Sequence, residues 1–401
     1  MKKLITFLSA VATVAILIGC SGGKGFIDEI PESGTLDENF GGGNGYRVYD
    51  SGNEDKANDV IVDSSNNIYV IGKIDNSLGV LKYKPNGSLN SNFDGDGILN
   101  MQINNQTTYG LAGAIKDNRL IIAGSTNMKG VLICRDKNSA SKCSGFSGLN
   151  SYVDNTALNS YNDLKIENNY IYTVGAKWTN GKVYLHKYVF NNGNYNHGQL
   201  VDNSAYVSGM FIKNSYIFSV GMKNNDAIIW RNNKASLSNN GYKIKMNIAG
   251  GNGIDNAKNL VIDNDGNIYI TGISKASDNK FKLFVIKLKP NGTYDTTFAN
   301  NGKYIYTFQS MGQDITFDKN GKLVVVGNTK ENGDDDVLVL RMDKNGNLDT
   351  SFGDNGKVVE DLENGDQIAK AVAIDNNNKI IVAGSDGVGN NADMFVMKIN
   401  P

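Results

Sequence analysis

Seven copies of one short segment organise this 401-residue chain: a tight polar turn, then alternating apolar residues that end on glycine. The copies read NNIYVIG up to Gly72, DNRLIIAG up to Gly124, NNYIYTVG up to Gly175 and NSYIFSVG up to Gly221. They continue as GNIYITG up to Gly272, GKLVVVG up to Gly327 and NNKIIVAG up to Gly384. Successive glycines lie 52, 51, 46, 51, 55 and 57 residues apart. Length alone would suggest two or three domains of about 150 residues. Regular self-similarity overrides that prior, because each copy is one supersecondary unit that buries its faces only against its neighbours. About fifty residues per copy is the blade spacing of a β-propeller. A long open sheet or two β-sandwiches would not require equal spacing.

Each copy has the same internal order. A short apolar strand comes first (59–63, 260–263, 372–375), then a turn of Asn, Asp and Gly type suited to a positive-φ hairpin, then the glycine-ended strand. A third strand follows (80–84, 283–289, 337–342, 394–399), and a fourth closes the unit (98–103, 303–308, 357–361). Ala57, Ala257 and Ala369 sit near the starts of first strands, and small residues are expected where blades crowd an axis. The seventh copy stops after its third strand, while a surplus strand, Gly45–Asp50, opens the series. It is preceded by LDENFGGGNG, which matches LDTSFGDNGKVV before the fourth strand at 348–359. The predicted fold is therefore all-β: a seven-bladed propeller of four-stranded antiparallel blades, closed by the N-terminal strand completing the last blade. Closure removes edges that would otherwise invite aggregation.

The unit KPNGSLNSNF at 84–93, with counterparts at 289–298 and 344–352, resembles the bacterial delta-60 repeat, a β-propeller family of undefined function. Blades one, five, six and seven carry the pattern well and blade two in part, whereas residues 149 to 242 depart from it. The resemblance implies the propeller fold. It implies no catalytic residues.

Met1-Lys2-Lys3 and the uncharged run from Leu4 to Gly19 have the form of a secretory signal. The run is shorter than the roughly 18–20 apolar residues of a spanning helix. It ends Leu17-Ile18-Gly19-Cys20, which resembles the lipobox of bacterial lipoproteins. That resemblance implies cleavage after residue 19, lipidation of Cys20 and a firm hold on a membrane through several acyl chains. Ser21 in place of aspartate points to the outer membrane of a Gram-negative envelope. Residues 20–35 read as the lipidated cysteine and a flexible tether, and 36–401 as the propeller. Removing residues 1–19 leaves 38 basic against 41 acidic residues, a net charge of −3. Such a surface excludes nucleic acid as the expected partner, since that affinity comes from basic charge. Of three cysteines, Cys134 and Cys143 remain after Cys20. In an oxidising compartment they are expected to close a hairpin loop as a disulfide, and without nearby histidines they make a poor zinc site.

The turns of one rim repeat, and the loops of the other vary in length and chemistry (73–77, 176–182, 328–336, 385–393, and 50–58, 247–257, 361–368). Variable loops on a rigid ring are where binding usually resides. Asp55, Asp255 and Asp366 fall just before first strands, where they are expected near the channel mouth as rim binding groups or as turn caps. Trp178, in AKWTNGK, is a candidate anchor for a sugar or protein. No cofactor or metal site is expected; Asp94-Gly95-Asp96 and Asp334-Asp335-Asp336 would suit calcium, but no EF-hand loop is present. His186 and His197 have no catalytic or metal spacing around them. The favoured reading is a lipid-anchored envelope propeller, a non-enzymatic binding or scaffolding module for a protein or glycan. The alternative is a polysaccharide-acting enzyme, a lyase or glycosidase, with carboxylates at the channel mouth.

Overall fold

The computed structural model describes residues 31–146, 151–153, 159–177, 180–248, 253–275, 278–362, 365–387 and 389–401. Over these residues each sequence copy folds into one four-stranded antiparallel sheet, giving seven blades. Blade one comprises Asp55–Val62, Ile68–Ile74, Ser77–Tyr83 and Ile98–Met101. Blade two comprises Thr108–Lys116, Arg119–Thr126, Lys129–Asp136 and Ser151–Val153; blade three, Ser160–Glu167, Tyr170–Lys177, Lys182–Val189 and Tyr195–Asp202. Blade four comprises Tyr206–Lys213, Tyr216–Lys223, Asp226–Asn233 and Asn239–Met246; blade five, Asp255–Ile262, Ile268–Lys275, Phe281–Leu288 and Lys303–Ile305. Blade six comprises Ser310–Phe317, Leu323–Thr329, Asp336–Met342 and Lys357–Glu360.

Blade seven takes three strands from the C-terminus, Gln367–Ile374, Ile380–Asp386 and Asp393–Ile399, and its fourth, Tyr46–Tyr49, from the N-terminal side. Tyr46 stands opposite Met397 and Tyr49 opposite Met394. The closure extends backwards along the chain. Asp37 donates its N–H to the Lys398 carbonyl at 2.8 Å, and Asn400 donates to the Thr35 carbonyl at 2.8 Å. Glu32–Thr35, read from sequence as the end of the tether, thus joins the ring; Gly353 also donates to the Ser33 carbonyl at 3.0 Å.

The core is not central. It consists of seven apolar layers, one between each pair of neighbouring blades. The alanines expected at the axis belong to these layers: Ala57, Ala257 and Ala369 are fully buried between blades.

The repeated glycine has a steric cause. Every first strand carries a β-bulge, with the extra residue at Asn58, Leu111, Asn162, Ser208, Lys258, Gln313 and Lys370. The glycine of the second strand pairs with the residue just before that bulge. A Cβ at Gly72, Gly124, Gly221, Gly272, Gly327 or Gly384 would collide with a first-strand carbonyl oxygen. The first strands also begin earlier than the apolar pattern predicts, because the bulge breaks the alternation that would have revealed their polar halves.

The Phe motif staples the turn rim. Phe40, Phe93, Phe298 and Phe352 are fully buried. Three residues before three of them, Asp37, Asp295 and Asp349 meet third-strand cations: Lys398 at 3.8 Å, Lys287 at 2.9 Å and Arg341 at 3.0 Å. Six blades place a cation at this register position, opposite the residue three before the glycine: Lys82, Lys187, Arg231, Lys287, Arg341 and Lys398. In blade two that position, opposite Ile121, is Cys134. Its partner Cys143 lies three residues before buried Phe146, where other blades place the aspartate. The two cysteines are bridged, with Cα atoms 5.6 Å apart. A covalent staple thus occupies the two places that elsewhere hold a charge pair.

Candidate functional site: the axial channel and the variable rim

The bulges deliver side chains from all seven first strands into an axial channel of about 610 Å³. That volume lies within the usual range of small-molecule sites. Asp59, Asp163 and Asp314 stand immediately after bulges and brace blade against blade. Asp59 accepts the Gly113 N–H at 2.7 Å, Asp163 accepts that of Met210 at 2.7 Å, and Asp314 accepts that of Val372 at 2.9 Å. Asn259 of blade five donates to Asp314 at 2.5 Å, and Asn58 and Asn162 donate to the carbonyls of Gly110 and Val207. Burial pushes the Asp59 carboxyl up to about 7, against the Gly113 hydrogen bond and the charge of Lys165, with Asp163 and Asp314 adding to the rise. Burial likewise raises Asp314. At Lys165 burial opposes the charge, but Asp163 at 2.8 Å, with Asp59 and Asp314, outweighs it and holds the ammonium above its usual range. Lys258 and Lys370 also line the channel. Burial lowers both, and the charges of Lys258 and Lys56 help bring Lys370 to about 8.

The sequence reading missed this constellation. Its signal was a polar residue interrupting the first strand twelve or thirteen positions before the glycine, as at Asp59, Asp163 and Asp314.

The three carboxylates expected at the channel mouth lie on the variable rim, each with its own partners. Asp55 accepts the N–H and hydroxyl of Ser51 at 2.7 and 2.8 Å, and the Asp75 N–H at 3.2 Å. Asp255 accepts the Ile248 N–H at 2.8 Å and the Ser274 hydroxyl at 2.6 Å. Asp366 accepts the Asp335 N–H at 3.0 Å and lies 3.6 Å from Lys330. No two of them share a partner among these contacts. Asp55 and Asp255 cap the segments that carry the chain from one blade to the next.

Ring closure brings together a group that the sequence reading did not propose: carboxylate oxygens of Asp50, Asp55 and Asp393 lie within 4.8 Å of one another. Burial, then Asp50, Asp55 and Asp386, push Asp393 up to about 6. The acidic runs considered for calcium have other partners. Asp96 accepts the Ile98 N–H, Asp335 meets Asn328 and Lys330, and Asp336 accepts an Asn332 amide proton.

On the variable rim blades six, seven and one present Asp334, Asp361, Asp366, Asp393 and Asp50, and blades two to five expose Met128, Tyr206 and Phe308 and also carry Asp226 and Asp278. Met128, at a loop tip, is 62% exposed. Trp178 and Cys20 lie outside the described residues. His186 is buried among Tyr161, Tyr184, Tyr188 and Tyr195, and Trp230 is buried with its indole N–H on Asp202, so both serve the core. His197 is exposed, with its Nε2 3.1 Å from the Ser236 carbonyl.

Fold and site together define a β-propeller with a polar channel and one variable rim. The family model described as "Domain of unknown function (DUF5122) beta-propeller" matches residues 264–298 and 319–352. No curated protein matches the chain. Among solved structures, "YCF48 bound to D1 peptide" is similar over 92% of this chain and 98% of that one, at 10% identity and a TM-score of 0.51. "Structure of Dos1 propeller" is similar over 84% and 77%, at 14% identity and a TM-score of 0.50. BamB from Moraxella catarrhalis aligns over 85% and 83%, at 11% identity and a TM-score of 0.44. At such identities the likeness concerns the fold alone.

Proposed function

We propose that this chain is a lipid-anchored envelope propeller that holds a protein partner on its variable rim without transforming it. The observation that carries this reading is that the variable rim exposes three large apolar side chains, Met128, Tyr206 and Phe308, among carboxylates such as Asp226, Asp278 and Asp334. A protein segment offering apolar side chains beside lysine or arginine complements both, the apolar part supplying affinity and the charges steering approach and register. Geometry supports the choice of rim. Glu32–Leu36 joins the ring beside Ile399 and Asn400, at the end of a third strand, on the rim of repeated turns. The variable rim is the opposite one. YCF48, whose structure is similar in fold, is bound to D1 peptide, so a propeller can seat a peptide. The lipid anchor, the outer-membrane address and the absence of nucleic acid rest on the sequence features of residues 1–35 and on the charge balance.

Site-resolved photocrosslinking in cells tests the proposal. A photoreactive residue at Met128, Tyr206 or Phe308 should trap one discrete protein partner, and the yield should fall at high salt. The same residue at Asn86 or Asn320, exposed on the opposite rim, should trap none. Equal trapping from both rims, or glycan adducts alone, would overturn it.

A further inference from the structure

Three consecutive blades, five, six and seven, turn Lys258, Gln313 and Lys370 inward from their bulges into the channel. Their counterparts in blades one and three, Asn58 and Asn162, give their amide protons to the neighbouring blade. Lys258, Gln313 and Lys370 do not: among the described residues, none has a hydrogen-bond or ion-pair partner. The channel carboxylates do not neutralise the two lysines. Asp163 is paired with Lys165, the charges of Asp59 and Asp314 also act on Lys165, and no carboxylate contributes at Lys258 or Lys370. One side of a polar channel therefore holds two cations and an amide with unspent donors.

Lys258 and Lys370 are half-buried; a charge partly withdrawn from water without a partner is costly, and removing a like charge or adding an opposite one relieves it. The depressed basicity of Lys258 and Lys370 agrees with that cost. Ammonium groups flanking an amide suit oxygen acceptors carrying negative charge, since charge-assisted hydrogen bonds are the strong ones. A cation would meet repulsion here, and an apolar ligand would leave both charges unsatisfied. We propose that the channel binds a small oxyanion, a phosphate or carboxylate group held by Lys258, Gln313 and Lys370. The site is independent of partner docking on the rim, so either proposal can fail without the other.

Calorimetric titration of the intact protein with inorganic phosphate and with citrate, against potassium chloride at matched ionic strength, tests it and separates the two sources of oxyanion. Saturable heat with either, weakened at least tenfold in both Lys258→Gln and Lys370→Gln, is the expected result. Heat with neither probe, or binding unchanged in the two variants, would overturn it. A second measurement needs no ligand. In chloride buffer Lys370→Met should melt at a higher temperature than the natural protein, because an unpaired charge has gone. A lower melting temperature would mean that protein groups already satisfy the ammonium, and would also overturn the proposal.

Discussion

The disulfide of blade two and the charge pairs of blades five, six and seven occupy equivalent positions, so they should be partly exchangeable. Cys134 is fully buried and Cys143 nearly so, nine residues apart in sequence. Closing so short a loop is worth about 2–3 kcal/mol by chain entropy, and Cys134→Ala with Cys143→Ser should forfeit that amount. Cys134→Lys with Cys143→Ser should be worse by a further ~2–3 kcal/mol, because it buries an ammonium with no partner. Cys134→Lys with Cys143→Asp recreates the Lys287–Asp295 arrangement and should recover ~1–2 kcal/mol of that loss. Urea unfolding followed by the fluorescence of Trp230, which is buried beside Asp202, reads all four proteins. Adding Cys134→Ala with Cys143→Asp completes a double-mutant cycle that isolates the coupling between the two positions. If the lysine–aspartate variant unfolds no later than Cys134→Lys with Cys143→Ser, the two staples are not equivalent and the register argument fails.

The glycine rule can be tested at Gly327, where a Cβ would strike the Met311 carbonyl. Gly327→Ala should cost at least ~2 kcal/mol in urea unfolding, and a neutral result would remove the bulge as the reason for the repeated glycine. Asp393 provides a pH test. Its folded pKa is raised to about 6, so the folded state retains the proton longer and stability falls as pH rises from the unfolded carboxylate value to 6. Asp393→Asn should therefore leave stability unchanged near pH 4 and raise it above pH 6, by roughly 1 kcal/mol after allowing for solvent screening. Equal gains at both pH values would contradict the charge crowding of Asp50, Asp55 and Asp393.

The ring and its closure were legible because they follow from sterics that recur. One glycine per blade is forced by one bulge per blade, and a final copy short of a strand needs the surplus strand at the start. The bulges themselves were hidden, since a one-residue register shift looks like weak alternation around Asn58-Asp59 or Lys258-Asn259. The channel residues were therefore missed. Asp55 and Asp255 were noticed for their position, but their burial and their hydrogen bonds to linker segments depend on packing that spacing does not reveal. Asp50 and Asp393 lie near opposite ends of the chain and meet only through closure. The charge staples were also overlooked: Lys287 and Asp295 look like ordinary surface residues until Phe298 between the blades fixes their positions.

Both rims and the channel depend on Tyr46–Tyr49 lying beside Asp393–Ile399. Hydrogen–deuterium exchange on the intact protein measures that pairing directly. The ladder amides of residues 46–49 should be protected to a degree comparable with those of 393–399, and truncation before residue 50 should release protection in blade seven. Exchange at the unstructured rate in 46–49, with blade seven unaffected by the truncation, would contradict a ring closed by its first strand.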